Sequence, residues 1–454
     1  MIRRISAAVL GLALALGAKS REEYTRSFDK TIPLQAGGRI YIEHSLGDIV
    51  VRTHPQPQVV IHADIRVSAW NAQQAKEFAD RIEIAIEPSS SELSIRTRYP
   101  EHAGHFPGMH NVSYCVQYQI TIPETAPLQI RNSFGRVSVT GLKASSEIAT
   151  SHADLEFRDG RGVQRLEDSF ANVRAVNNAG DVTVENSNGS VDASDITGAL
   201  SVRDRFAAVN VARVSKGVTL INSNGSVQVS DSGGLGSIRN SFGNVTVQTF
   251  HGDLTVNNTN GRVEATNVTG AAELNTSFGG VRFADVSRQL AIRASNSSIE
   301  GSKVGGPVTI QNSFGQVDVS DVQGGVTVHS GNGAVSIARI RGAASVKTSF
   351  AAVEGTDIAG MLNVENTNGA VHASNTRGAQ VTTSFAAVIL DGISGSLQIT
   401  DQNGAVDVRV GGHGGCQPVM IQTSFSPVRI RIDGEPSYRV WARTSFGKIR
   451  TDFH

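Results

Sequence analysis

A four-residue motif returns every 18 residues along this chain, and its third place alternates between a bulky and a small side chain. The motif reads Asn-Ser-Phe-Gly at Asn132 to Gly135 and Asn-Ser-Asn-Gly at Asn186 to Gly189. Phe134, Phe170, Phe206, Phe242, Phe278, Phe314 and Phe350 hold the third place in every second unit. His152, Asn188, Asn224, Asn260, Asn296, Asn332 and Asn368 fall midway between them, and Phe385 and Asn403 carry the alternation on. A period that holds from residue 134 to residue 368 without a slip means one structural unit per 18 residues. Such arrays grow by stacking units rather than by enlarging one core, so 454 residues do not require several globular domains.

With position 1 set at the Asn or Thr that opens the motif, apolar residues recur at positions 6, 8, 11, 15 and 17. Spacing of two inside each pair is the strand signature. Position 6 is aliphatic throughout, as at Val137, Val173, Val245, Val317 and Val406, and position 17 repeats this at Ile148, Val184, Val256 and Val328. Both columns must face a continuous core. Position 13 is usually Gly, as at Gly180, Gly198, Gly252 and Gly342, which marks a corner between the strand pairs. The motif itself marks another. Short strands joined by tight corners at constant period predict an all-β fold, a single-chain parallel β-helix (β-solenoid) of 18-residue coils. Sixteen such coils at ~4.8 Å make a rod roughly 75 Å long, and crossover chirality favours right-handed winding.

Two further columns carry information. Stacking would place Phe on every second coil, ~9.6 Å apart, with Asn between, which predicts rings buried in a narrow corner and Asn easing its backbone. The other reading is an exposed Phe stripe that docks a glycan or a partner. At position 10 the charge alternates through Asp195, Arg213 and Asp231, then Asp285, Lys303, Asp321, Arg339 and Asp357. Opposite charges on adjacent coils predict a ladder that favours register, each exposed pair contributing ~0.2 to 1 kcal/mol. Two carboxylates two coils apart could also form an inverting glycosidase pair, but the intervening cation argues for the ladder.

The ends depart from the period. Residues 1–20 read as a secretory signal peptide, with Arg3 and Arg4 before the apolar run Ile5 to Leu16. Residues 21–131 alternate irregularly, carry one helix expected within Trp70 to Ile82, and are expected to cap the array; His44 to Ile49 imitates the repeat motif. The regular array is expected over 132–410, and irregular C-terminal coils or a cap over 411–454, where the motif spacing loosens at Phe425 and Phe446. Cys115 and Cys416 lie near opposite ends of the array, so no intramolecular disulfide is expected. His102, His105 and His110 are the only clustered metal-ligand candidates, without the spacing of a tight site, and no metal or cofactor is expected.

Balanced charge, 41 basic against 41 acidic residues, gives no footprint for nucleic acid, and no transmembrane segment follows residue 20. No nucleophile elbow, Walker loop or zinc-protease helix is present, so an enzyme is not expected. Gly-Asp-Ile-Val-Val at Gly47 to Val51, the Ile-Pro end of Tyr118 to Pro123, the repeated Gly-x-Val-x-Val and Thr444 to Ile449 resemble a family of bacterial exported proteins with β-strand repeats, described as adhesins of unknown function. That resemblance covers the mature chain and brings no catalytic or binding residues with it. The expectation is therefore a non-enzymatic β-solenoid exported to periplasm, cell envelope or exterior, acting as a scaffold or adhesin on glycans or envelope and surface proteins. The competing readings are a carbohydrate-active β-helix enzyme using Asp321 or Asp357, and a polymer-forming scaffold of the bactofilin kind.

Overall fold

The computed structural model describes residues 21–100, 112–411, 417–434 and 438–452. The expected signal peptide, His102, His105, His110 and Cys416 lie outside these residues. The chain forms two compact units, Met1–Ala153 and Asp154–His454.

The second unit is a parallel β-solenoid in which each coil contributes two strands, as in Val245–His251 and Leu254–Asn260. Each strand pairs in parallel with its equivalent one coil on, Val245 with Val263 and Leu254 with Ala272. The periodic apolar columns explain this pairing, because a coil that matches the sequence repeat sets like on like. In a single coil Val245, Val247, Phe250, Leu254 and Val256 are all at most 1% exposed, and burying each Val or Leu stabilises by ~1.5 to 3 kcal/mol. Large core residues fit where a neighbour is small. A Cβ on Gly236 would stand 2.7 Å from the ring of Phe250, and one on Gly160 would stand 2.2 Å from that of Phe157.

Between positions 9 and 11 the chain turns at position 10. Every member of this column from Asp159 to Asn375 is left-handed, with φ between 47° and 62°. The ladder skips them, Ser194 pairing with Ala212 and Ile196 with Val214. Asp and Asn predominate because their short polar side chains tolerate this backbone. The cations pair backwards by one coil: Arg213 makes a two-pronged bond to Asp195 at 2.6 and 2.8 Å, Arg339 one to Asp321 at 2.7 and 2.8 Å, and Lys303 lies 3.4 Å from Asp285. Where a shortened coil sets Val371 against Val388, the column passes from Asn375 to Gly392, φ 67°. A lengthened coil then sets Val406 against Val428.

The first unit begins with a coil-like turn. Arg39–Glu43 pairs in parallel with Leu128–Arg131, and Ile49–His54 with Val137–Thr140. The motif imitation at His44 to Ile49 thus takes the place of a coil corner. Long antiparallel strands, Glu22–Pro33 on Gln58–Ala69 and the latter on Ser113–Pro123, are added to this parallel stack. The helix α1, Ala72–Arg81, is the only one among the described residues, and Asn71 caps it by accepting from the Gln74 amide at 2.8 Å. None is long and apolar enough to cross a membrane. Cys115 is a free thiol.

His44 is buried beside Tyr118, edge-on at 5.0 Å. Its Nε2 donates to the Val116 carbonyl at 3.0 Å and its Nδ1 accepts from the Thr97 hydroxyl at 2.9 Å, which in turn accepts from Tyr118 at 2.7 Å. Burial lowers its pKa from 6.5 to about 4. The unfolded chain therefore binds a proton at this residue below pH ~6.5 that the folded chain refuses until about 4. The contribution is complete above the unfolded value and declines as pH falls through this window, by about 3 kcal/mol in all. Denaturation followed from pH 7 to 4 should show that slope, and the slope should shrink in His44→Gln. Separately, Thr249 is the one β-branched residue in the left-handed column. Thr249→Asn should raise the urea midpoint by the equivalent of ~0.5 to 1 kcal/mol; an unchanged or lower midpoint contradicts the strain.

Candidate functional site

The motif corner is built around position 1. Asn186, Asn222, Asn240, Asn258, Asn312 and Asn366 are buried there. The Asn258 Nδ2 donates to the position-4 carbonyl of its own coil, Gly261, at 3.0 Å and to that of the preceding coil, Gly243, at 2.9 Å. Asn186, Asn240, Asn312 and Asn366 repeat the pattern. Asp168, Asp204 and Asp401 substitute by accepting the position-4 amide at 2.6, 3.1 and 2.6 Å, and burial raises the pKa of each. The inward parity of positions 15 and 17 continues to position 1. That was the available signal for this buried polar column, whose role the motif spacing alone did not reveal.

Position 4 decides the shape of the corner. Where Phe is followed by Ala, at Ala171, Ala207, Ala351 and Ala386, the chain makes a bend, and Gly189, Gly369 and Gly404 in the adjoining coils follow it. At Gly225, Gly243, Gly261, Gly279 and Gly315, φ lies between 112° and 158°, a region that Ala avoids. There position 3 enters a ladder of its own, Asn224 with Phe242, Phe242 with Asn260, and Asn260 with Phe278. Ser297, the non-glycine within this run, follows Ala294 rather than Asn at position 1. Backbones at position 4 nearly touch: a Cβ on Gly261 would lie 2.1 Å from the Gly243 carbonyl oxygen.

The Phe column does not pack inside. Phe170, Phe206, Phe242, Phe278, Phe314, Phe350 and Phe385 are between 52% and 65% exposed, and Phe134 in the first unit is 49% exposed and stacks on His152 at 4.4 Å. The expectation of buried corner rings is therefore wrong. The asparagine amide and the close-set position-4 backbones fill the corner, leaving the ring no interior space. Because the backbone turns there, strand parity does not carry past position 2.

Along the extended corners, and on past the bends at Gly333 and Ala351, runs an open groove of about 1170 Å³, lined by positions 18, 1 and 2 of eight successive coils, from Ile221 to Ser349. Its lining is rich in amides and hydroxyls, including Asn257, Asn275, Gln311, Ser241, Ser277 and Ser313, and includes no carboxylate. Of its cations, Arg293 is bonded to Glu273 and Lys347 to Glu365 at 2.8 Å, both acids standing outside the lining, whereas Arg239 makes no ion pair among the described residues. Phe242, Phe278 and Phe314 follow the lining Ser241, Ser277 and Ser313 directly in the chain.

The charge column lies at another corner. Asp285, Lys303 and Asp321 line a separate depression of about 290 Å³. The Arg339 guanidinium holds the Asp321 carboxyl below the usual carboxylate range, and Asp357 accepts from Asn375 at 2.9 Å. No group of three metal-ligating side chains occurs among the described residues.

No family model and no curated protein matches the chain. A solved structure from Clostridium sporogenes, described as a "putative cell adhesion protein", aligns at 11% identity over 45% of this chain and 99% of that chain, with a TM-score of 0.21. A likeness at that level carries no argument.

The close approach at position 4 makes a direct prediction. Gly261→Ala should cost more than ~1 kcal/mol, because it combines a strained φ with a backbone clash. Gly280→Ala, where the added methyl meets the flexible Ser298 hydroxyl at 3.2 Å and the Ser298 carbonyl at an ordinary 3.6 Å, should stay within ~1 kcal/mol. Equal urea midpoints for the two variants would refute the constraint.

Proposed function

We propose that this protein is a non-enzymatic, exported β-solenoid that acts as a scaffold or adhesin-like element, meeting an extended partner of the cell envelope or cell surface along its repeated face. The observation that carries the reading is the exposed Phe column. Seven half-exposed rings at one position of the second unit form a regular apolar series that stacking does not need, and exposed apolar series of that kind are surfaces for contact. Export rests on the leader-like residues 1–20.

The carbohydrate-active alternative is less well supported. The acids it would use, Asp321 and Asp357, are held by Arg339 and Asn375 at a corner remote in the coil from the groove, and the groove lining offers no carboxylate to act as a general acid. Purified residues 21–454 should co-sediment saturably with an isolated envelope fraction or with intact cells. Protein that stays in the supernatant with both would overturn the reading.

A further inference from the structure

We propose that the groove over residues 221–349 binds a linear, uncharged polysaccharide laid along the stack of coils, with sugar rings seated against Phe242, Phe278 and Phe314. The proposal rests on the reading that this face meets an extended partner, and it names the partner's chemistry.

Backbone pairing argues against a peptide. The groove runs across the strands, and the strands that floor it are already paired in parallel on both sides, Leu254–Asn260 with Leu235–Phe242 below and Ala272–Phe278 above. An extended peptide would find no free ladder to join. What the floor offers instead is side-chain amides and hydroxyls at every level, the groups that hydrogen-bond to sugar hydroxyls.

Charge argues against an anionic polymer. The cations Arg293 and Lys347 are matched by Glu273 and Glu365, which leaves Arg239 as the lining's one Arg or Lys without an ion pair among the described residues. One such group over eight coils cannot follow a phosphate or carboxylate on each residue of a chain. Periodicity argues for a polymer. The rings recur every second coil, ~9.6 Å apart, and the groove extends ~34 Å from its first to its last coil, long enough for a chain of several sugars. Each exposed ring supplies a flat apolar surface for the C–H face of one sugar while the adjoining Ser and Asn take its hydroxyls.

The test is calorimetric titration of residues 21–454 with soluble oligomers of cellulose, chitin, mannan, laminarin and amylose, alongside polygalacturonate and single-stranded DNA. At least one neutral oligomer should bind saturably and more tightly as it lengthens. The triple variant Phe242→Ala, Phe278→Ala, Phe314→Ala should lose roughly tenfold or more in affinity, and Phe170→Ala with Phe385→Ala, outside the groove, should bind as the parent does. The altered rings are exposed, so the variants should keep the parent's β circular dichroism. No neutral oligomer bound, binding confined to polygalacturonate or DNA, or a triple variant with parental affinity would each overturn the proposal. If the triple variant still co-sediments with envelope as the parent does, the scaffold reading stands and the groove assignment falls. If oligomers bind and envelope does not, the reverse holds.

Discussion

Coil corners in this solenoid are held by backbone meeting backbone. At position 4 the coils approach so closely that a methyl on Gly333 would lie 1.8 Å from the Gly315 carbonyl oxygen. The position-1 asparagine then bridges two of those carbonyls, its own coil's and the preceding one's. A buried amide that donates both protons to backbone acceptors is stabilising, and losing that of Asn258 would take the donor from the Gly261 carbonyl and leave the Gly243 carbonyl with Asn240 alone. Stacking pitch, corner width and the outward course of position 3 all follow from this arrangement.

The surface is a consequence of that corner. Filled by asparagine and main chain, it has no room for an aromatic ring, so Phe faces solvent and alternates with Asn in the ladder. Where glycines run without interruption by Phe-Ala, as at Gly243 and Gly261, the second strand of the coil runs on to position 3, and the groove passes beside it. A substitution as small as Gly to Ala at position 4 is therefore expected to disturb both the corner and the surface beside it. The αL column at position 10 works independently: it is first a backbone requirement, which Asp and Asn meet cheaply, and only second a place where Arg213, Lys303 and Arg339 find a carboxylate one coil back.

Much of the fold was legible from the residues. The 18-residue period, the columns at positions 6, 8, 11, 15 and 17, and the helix near Ala72–Arg81 all followed from spacing and alternation, because strands and coils repeat their environments. The candidate site was far less legible. The exposure of the Phe column depends on which way the chain turns after position 2, and parity ends at a turn. The left-handed column shows in the sequence as an excess of Asp and Asn, but the alternating charges from Asp285 to Asp357 point to a ladder and not to the backbone that both types tolerate. The contrast between Phe-Ala at Phe206 and Phe-Gly at Phe242 stood in the sequence, but its meaning requires knowing that φ is positive there.

The central claim is that position 4 sets one of two corner forms. Amide hydrogen exchange at the corner glycines tests it most directly. The Gly225, Gly243 and Gly261 amides donate to the next coil at Phe242, Asn260 and Phe278, at 2.9, 2.9 and 2.8 Å, whereas those of Gly189, Gly333 and Gly369 have no acceptor among the described residues. The account predicts strong protection of the first three and fast exchange of the second three. Equal protection at all six would contradict it.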